Sequence, residues 1–442
     1  MENSARQYVE LYEQCRETIM SHSCEAMNAV REEAFESFRS GGLPGRKDEE
    51  YRYTDIREMM APDLGLNLNR LEIPVDPYQA FRCDVPNLST QLYFVVNDTL
   101  FGKALPKKEL PEGVVVDSFC NRQDIVARYY NSLAAADAIT SLNTMLAEDG
   151  LLIYVPENIV VEKTIQVVNI LRSDVDMMVN RRVLIVAEKG SKVKVLFCDH
   201  AADDRQFLTT QVTEILAGEG ADIEVYGLEE THQRNALVAN TYIKQESRSR
   251  VHHSLITLHN GKTRQMTRLT LAGEGAECWL NGAVVADKEQ HVDNNTLIDH
   301  AVPHCDSHEL YKYVLDGNAV GAFAGRVLVR KDAQKTMSEE RNQNLLSTKT
   351  ARMYTQPMLE IYADDVKCSH GSTVGQLSES ALFYMRQRGI PLEEARLLLQ
   401  AAFIYEVIDE IPLEPLRDRL HYLIDKRFRG ELSKCEGCKL CR

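Results

Sequence analysis

The sequence predicts a mainly β chain: a solenoid of stacked strands in the middle, an α+β segment before it and a helical segment after it. Three observations carry this reading. Helical spacing of apolar residues stops at Gly150 and resumes only after residue 375, and between those points short β-branched runs are broken by Gly, Asn, Asp and His. One turn grammar then recurs, as Ala187-Glu188-Lys189-Gly190-Ser191-Lys192, Ala217-Gly218-Glu219-Gly220-Ala221-Asp222 and Ala272-Gly273-Glu274-Gly275-Ala276-Glu277, with starts 30 and then 55 residues apart. A strand, a glycine turn and a strand cannot bury their own apolar face, whereas stacked copies can. A sandwich of ordinary hairpins is the competing arrangement, and the pattern alone leaves it open.

The elements follow in order. Val9, Tyr12, Cys15 and Ile19, then Met27, Val30, Ala34 and Phe38, place two helices within residues 5–40. Gly41, Gly42 and Pro44 end the second. Prolines 62, 74, 77 and 86 favour turns and extended chain, residues 91–119 read as short strands, and Ile125 to Leu146 as one further helix. Residues 1–148 therefore form an α+β domain. The β core is assigned to 149–372, where Lys192-Val193-Lys194-Val195 shows the period-two alternation of a half-buried strand. Helices return in 373–430: Ser378 as an N-cap, Gly389 closing that helix, Pro391 opening the next, and a last helix from Leu416 to about Phe428. A cysteine-rich tail, 431–442, completes the chain.

Composition narrows the function. The 442 residues carry 66 acidic and 51 basic side chains, a net charge of −15 that repels phosphate backbones and anionic lipid, so neither nucleic acid nor membrane is an expected partner. The N-terminus lacks the cationic and apolar regions of a signal peptide, and no run of eighteen apolar residues occurs. A cytoplasmic location is expected, with the 11 cysteines as free thiols. No phosphate-binding loop, nucleophile elbow or zinc-protease helix is present, so the chain is expected to act as something other than a self-sufficient enzyme.

Three constellations could hold a metal. In Val366-Lys367-Cys368-Ser369-His370-Gly371 a strand would turn Cys368 and His370 to one side, their Cβ atoms about 6.6 Å apart. A thiolate and an imidazole suit iron, copper or zinc, but two ligands do not close a site. On spacing alone, the commoner arrangement is a buried thiol beside a histidine held by backbone. The second constellation is His300, His304, Cys305 and His308, where Pro303 forbids helical geometry and the spacing matches no closed site. The third is the tail, whose Cys435, Cys438 and Cys441 resemble the first three ligands of a ferredoxin run without the fourth. Metal, cluster or sulfur binding is the favoured reading there.

At this point the run Ile361-Tyr362-Ala363-Asp364-Asp365-Val366-Lys367-Cys368-Ser369-His370-Gly371, continuing to Arg388-Gly389-Ile390, closely resembles the SufB/SufD family of iron–sulfur cluster assembly proteins. Gly42 to Asp55, Asp149 to Pro156, Phe323-Ala324-Gly325, Ala333 to Thr336 and Asn344-Leu345-Leu346 resemble blocks of the same family, and the whole set is nearer the SufD branch than SufB. The resemblance implies a right-handed parallel β-helix flanked by helical domains. It implies a non-enzymatic scaffold working with a SufB-like subunit and a SufC-like ABC ATPase, and it leaves a homodimer of the isolated chain open. The ATPase would dock on Phe383, Tyr384, Arg386, Arg388 and Gly389. Cys368 and His370 would lie at the junction with SufB and ligate, or admit, iron or a transient iron–sulfur cluster that the two subunits share. The tail departs from the family pattern and inherits no role. The SufB paralogue in the same complex is one alternative and a β-helix polysaccharide lyase, from another class, is the other; co-purification with a SufC-like ATPase separates the two Suf readings from the lyase.

Overall fold

The structure is a computed structural model that describes residues 3–80, 85, 88–102, 110–134 and 137–431. Its centre is a flattened β-solenoid of about eight turns. Successive strands alternate between a ten-stranded and a nine-stranded sheet, so each turn contributes one strand to each. Within the solenoid neighbouring strands pair in parallel, as when Lys262–Leu271 lies in register with Ala236–Gln245 on one side and His291–His300 on the other. The hairpin sandwich is thereby replaced by a stack. Three strands from the N-terminal segment join it: Thr90–Val96 pairs in parallel with Thr164–Leu171, Thr99–Leu100 antiparallel with Thr90–Val96, and Val115–Ser118 antiparallel with Leu151–Val155.

One corner explains why the sequence repeats. Gly190, Gly220, Arg248, Gly275, His304 and Lys335 all adopt φ between 56° and 74° there. Left-handed backbone turns each amide toward the next rung. Gly190 N–H donates to Glu219 O at 2.8 Å, Gly220 N–H to Ser247 O at 2.8 Å, Arg248 N–H to Glu274 O at 3.0 Å and His304 N–H to Gln334 O at 2.9 Å. The interval of 55 residues between glycine turns thus spans two turns, with Arg248 occupying the left-handed position at a cost that glycine avoids. Gly273 is needed for a different reason. A Cβ there would lie 1.9 Å from Ser247 N on the rung below. Gly273→Ala is expected to destabilise the fold by about 1–3 kcal/mol or more through overpacking. Gly375→Ala, where a Cβ meets nothing within 4 Å, should leave the urea midpoint nearly unchanged.

Helices Asn3–Ser21 and Glu25–Gly41 match the expected pair. The helix expected over Ile125–Leu146 is two, Gln123–Tyr129 and Ala138–Leu146. Buried Glu214, on the solenoid, interrupts it by accepting the amides of Asn131 and Leu133, each at 2.9 Å. Buried Arg31 then donates to the carbonyls of Thr144, Met145 and Ala147 at 3.2, 2.8 and 2.9 Å, meeting acceptors left over at the end of the second helix.

The segment around Glu50–Asp55 straps across the outside of the nine-stranded sheet. Arg264 donates to Glu50 O at 2.6 Å and lies 4.0 Å from the centroid of the Tyr51 ring; Thr54 donates to Asp293 at 2.5 Å; Tyr53 stacks on Tyr354 at 5.0 Å. On the other sheet, helices Leu392–Asp409 and Glu414–Phe428 cover the outer face. Ile404, Val407 and Ile408 pack in one cluster with Leu310, Val314 and Leu345. Each such side chain contributes about 1.5–3 kcal/mol on burial. Among the described residues no helix is long and apolar enough to cross a membrane.

Candidate functional site

Among the described residues nothing covers the solenoid at its C-terminal end. Lys367–Gly375 is the last strand of the ten-stranded sheet and pairs only with Met337–Leu346; Arg352–Ile361 is last in the other and pairs only with Val320–Val329. Several large apolar side chains on this rim are exposed, among them Tyr354, Ile361, Tyr362 and Val374. Elsewhere such residues are mostly buried, so their collection at one end makes an exposed apolar patch.

Cys368 and His370 sit on this last strand, two residues apart and therefore on one face of it, as their spacing requires. The face is the inner one. Cys368 is half-buried against Val327, Val329, Ala333 and Ala363, and that burial pushes its thiol pKa up; His370 is exposed.

Register shows what lies beneath the pair. One inner column runs Val193, Ile223, Val251, Cys278, Ser307, Ser338, Cys368. The next runs Ile165, Val195, Val225, His253, Leu280, Glu309, Glu340, His370. Both columns begin apolar and turn polar toward the rim. In the first, Ser307 donates to Ser338 at 2.8 Å, and His300 Nε2 lies 2.9 Å from Ser307 Oγ. Burial holds His300 near a pKa of about 4, so it is neutral at physiological pH.

In the second column Glu309 and Glu340 are 2% and 0% exposed, and none of their four carboxylate oxygens has a hydrogen-bond partner. Burial raises the pKa of the Glu309 carboxyl, and burial together with the Glu309 charge raises that of Glu340, so the pair resists holding two negative charges. Neither residue stood out in the sequence. The signal was parity: Glu309 shares its alternation with Tyr311, Tyr313 and Leu315, which line the core.

The other expected residues are not gathered here. His304 occupies a corner turn, 3.8 Å from Glu274, and His308 faces outward, stacked at 5.6 Å on Trp279. With His300 facing inward, these three histidines point three ways and form no common site. Among the described residues no group of three or more His, Cys, Asp and Glu side chains could hold a metal ion. The tail thiols Cys435, Cys438 and Cys441 lie outside the described residues. Phe383 and Tyr384 are 62% and 54% exposed on helix Glu379–Gln387, which Ser378 caps through the Ala381 amide at 3.3 Å. Arg386 is exposed on the same helix, the Arg388 guanidinium lies 3.7 Å from the Tyr384 ring centroid, and Gly389 ends the turn at φ 85°.

Comparison with known proteins bears on this arrangement. The profile described as "SUF system FeS cluster assembly, SufBD core domain" matches residues 169–403, and "SufBD protein N-terminal region" matches 2–167. An iron–sulfur cluster assembly SufBD family protein of Synechocystis is 28% identical over 406 residues, 87% of each chain. The iron–sulfur cluster assembly protein SufD of Bacillus subtilis is 26% identical over 375 residues, 82% of this chain and 84% of its own. SufD of Escherichia coli is 34% identical over 191 residues, 43% and 45%.

Proposed function

This chain belongs to the SufBD family of iron–sulfur cluster assembly proteins, and from that premise we propose that it is a SufD-type scaffold subunit, with Cys368 and His370 offered across its open end to a SufB-like partner. The observation that carries the reading is the position of the pair: on the inner face of the last strand, at an uncovered rim with exposed apolar residues. A thiol and an imidazole are half of a four-coordinate iron site, and a second subunit seated on the rim supplies the other half. Iron and sulfide are the cargo, held at the junction and passed on. The relatives named SufD support the SufD assignment. The experiment is anaerobic co-purification with SufB-like and SufC-like proteins, followed by iron and sulfide analysis; a complex that forms but never holds iron rejects the reading.

Energy for assembly would come from the ATPase partner, docked on the exposed helix Glu379–Gln387. Its aromatic pair Phe383 and Tyr384 has the composition of an interface anchor. Phe383→Glu is expected to weaken retention of the ATPase at least about tenfold, in line with loss of a binding hot spot. The melting temperature of the isolated chain should stay the same, because Phe383 is 62% exposed. Undiminished co-purification of the variant with the ATPase would place that contact elsewhere.

A further inference from the structure

We propose that Glu309 and Glu340 form a divalent-cation site inside the solenoid, directly behind the Cys368–His370 rim. The two residues are register partners on adjacent parallel strands, and His370 is the register partner of Glu340 on the next. Two carboxylates stacked this way in a dry interior repel each other unless a proton or a cation lies between them. Among the described residues Glu309 and Glu340 have no cationic partner: no ion pair and no hydrogen bond of good geometry reaches either. Buried polar groups in native proteins are nearly always satisfied, so four orphaned oxygens on neighbouring residues call for a ligand.

The surroundings point the same way. The Thr296 hydroxyl, 2% exposed, lies beside Glu309 from the opposite sheet, and the buried Tyr311 hydroxyl, which has no hydrogen-bond partner, belongs to the same inner row two residues on. Opposite Glu340 stands Gly325, where a Cβ would come within 2.2 Å of the carboxylate oxygen. The glycine keeps open the space that the carboxylate occupies, and a larger residue would displace it. Oxygen donors of this kind, with an imidazole one strand away, suit a hard or borderline ion such as ferrous iron or manganese(II) rather than a soft one. The remaining coordination positions fall to water, the Thr296 hydroxyl or a group at the rim.

This inference deepens the proposed function, since an ion held here lies one strand from His370, but its test uses the isolated full-length chain. Anaerobic calorimetric titration with ferrous ion, repeated with manganese(II), is expected to show one ion bound per chain. Glu309→Gln with Glu340→Gln should weaken that binding by at least about a hundredfold, beyond the 10–100-fold typical of groups one step removed from a metal. Amides of the same shape remove the charge without leaving a cavity, so the melting temperature without metal should hold or rise; each single glutamine variant gives the same comparison if the double one folds poorly. Cys368→Ser with His370→Ala should keep the ion. Absence of binding by the native chain, unchanged binding by the glutamine variants, or loss in the rim variant to the same degree would each overturn the internal site. Failure of the rim pair in cluster assembly is read separately, in the assembled complex, so the two ideas can fall independently.

Discussion

Glu214→Ala is expected to cost the fold about 3–5 kcal/mol, the range for removing one partner of a buried ion pair. Glu214 and Arg182 are both 0% exposed, 2.9 Å apart. Arg182 also donates to Thr144 Oγ1 and Asn131 Oδ1, both at 3.0 Å, and its guanidinium lies 4.7 Å from the centroid of the Tyr130 ring. Truncating Glu214 strands that cation away from water and leaves the amides of Asn131 and Leu133 without their acceptor. The loop that holds the N-terminal helices to the solenoid would then be released. Urea denaturation measures the loss. Arg182→Met combined with Glu214→Leu should recover part of it, because no lone charge remains buried although the two amides still lack their acceptor. A single-variant loss below about 1 kcal/mol would mean that water reaches the pair and the burial argument fails.

The second large effect concerns chemistry rather than folding. In the complex assembled with SufB-like and SufC-like partners, Cys368→Ser and His370→Ala are each expected to lower bound iron and sulfide by an order of magnitude or more, at least the 10–100-fold that losing a group one step removed from a metal costs. The complex itself should still form. Cys368 contributes only half-buried contacts and His370 is exposed, so neither substitution removes a packed core residue. Iron and sulfide assays after anaerobic size-exclusion chromatography distinguish the cases. Native cargo in both variants refutes the site, whereas a complex that falls apart would make the pair an adhesive contact instead of a ligand set.

Much of this was readable in the residues, for local reasons. A turn that needs left-handed backbone advertises itself when glycine fills it, as Gly190, Gly220 and Gly275 do. Arg248 and His304 fill equivalent positions without a compositional mark, so the true rung period stayed hidden. The split of Gln123–Tyr129 from Ala138–Leu146 depends on Glu214, some 80 residues away in sequence, and nothing local announces it. Cys368 and His370 could be placed on one side of a strand from their spacing. That this side is the solenoid's inner face, with Glu340 and Glu309 beneath it, follows only from the pairing of strands about 30 residues apart. The strap of Glu50–Asp55 was recognised as a motif, yet its partners Arg264, Asp293 and Tyr354 lie more than 200 residues on.

The corner amides that each reach the following turn make the stack a one-dimensional lattice, in which every layer is held chiefly by the layers on either side. In such a lattice, unravelling starts at an exposed terminal layer, because an inner one must break two contacts where the last breaks one. Here that terminal layer is also the one bearing the thiol and imidazole. In the function proposed above, a protein seated on it would therefore do two jobs at once: complete the ligand shell, and stop the lattice from fraying beneath its own cargo.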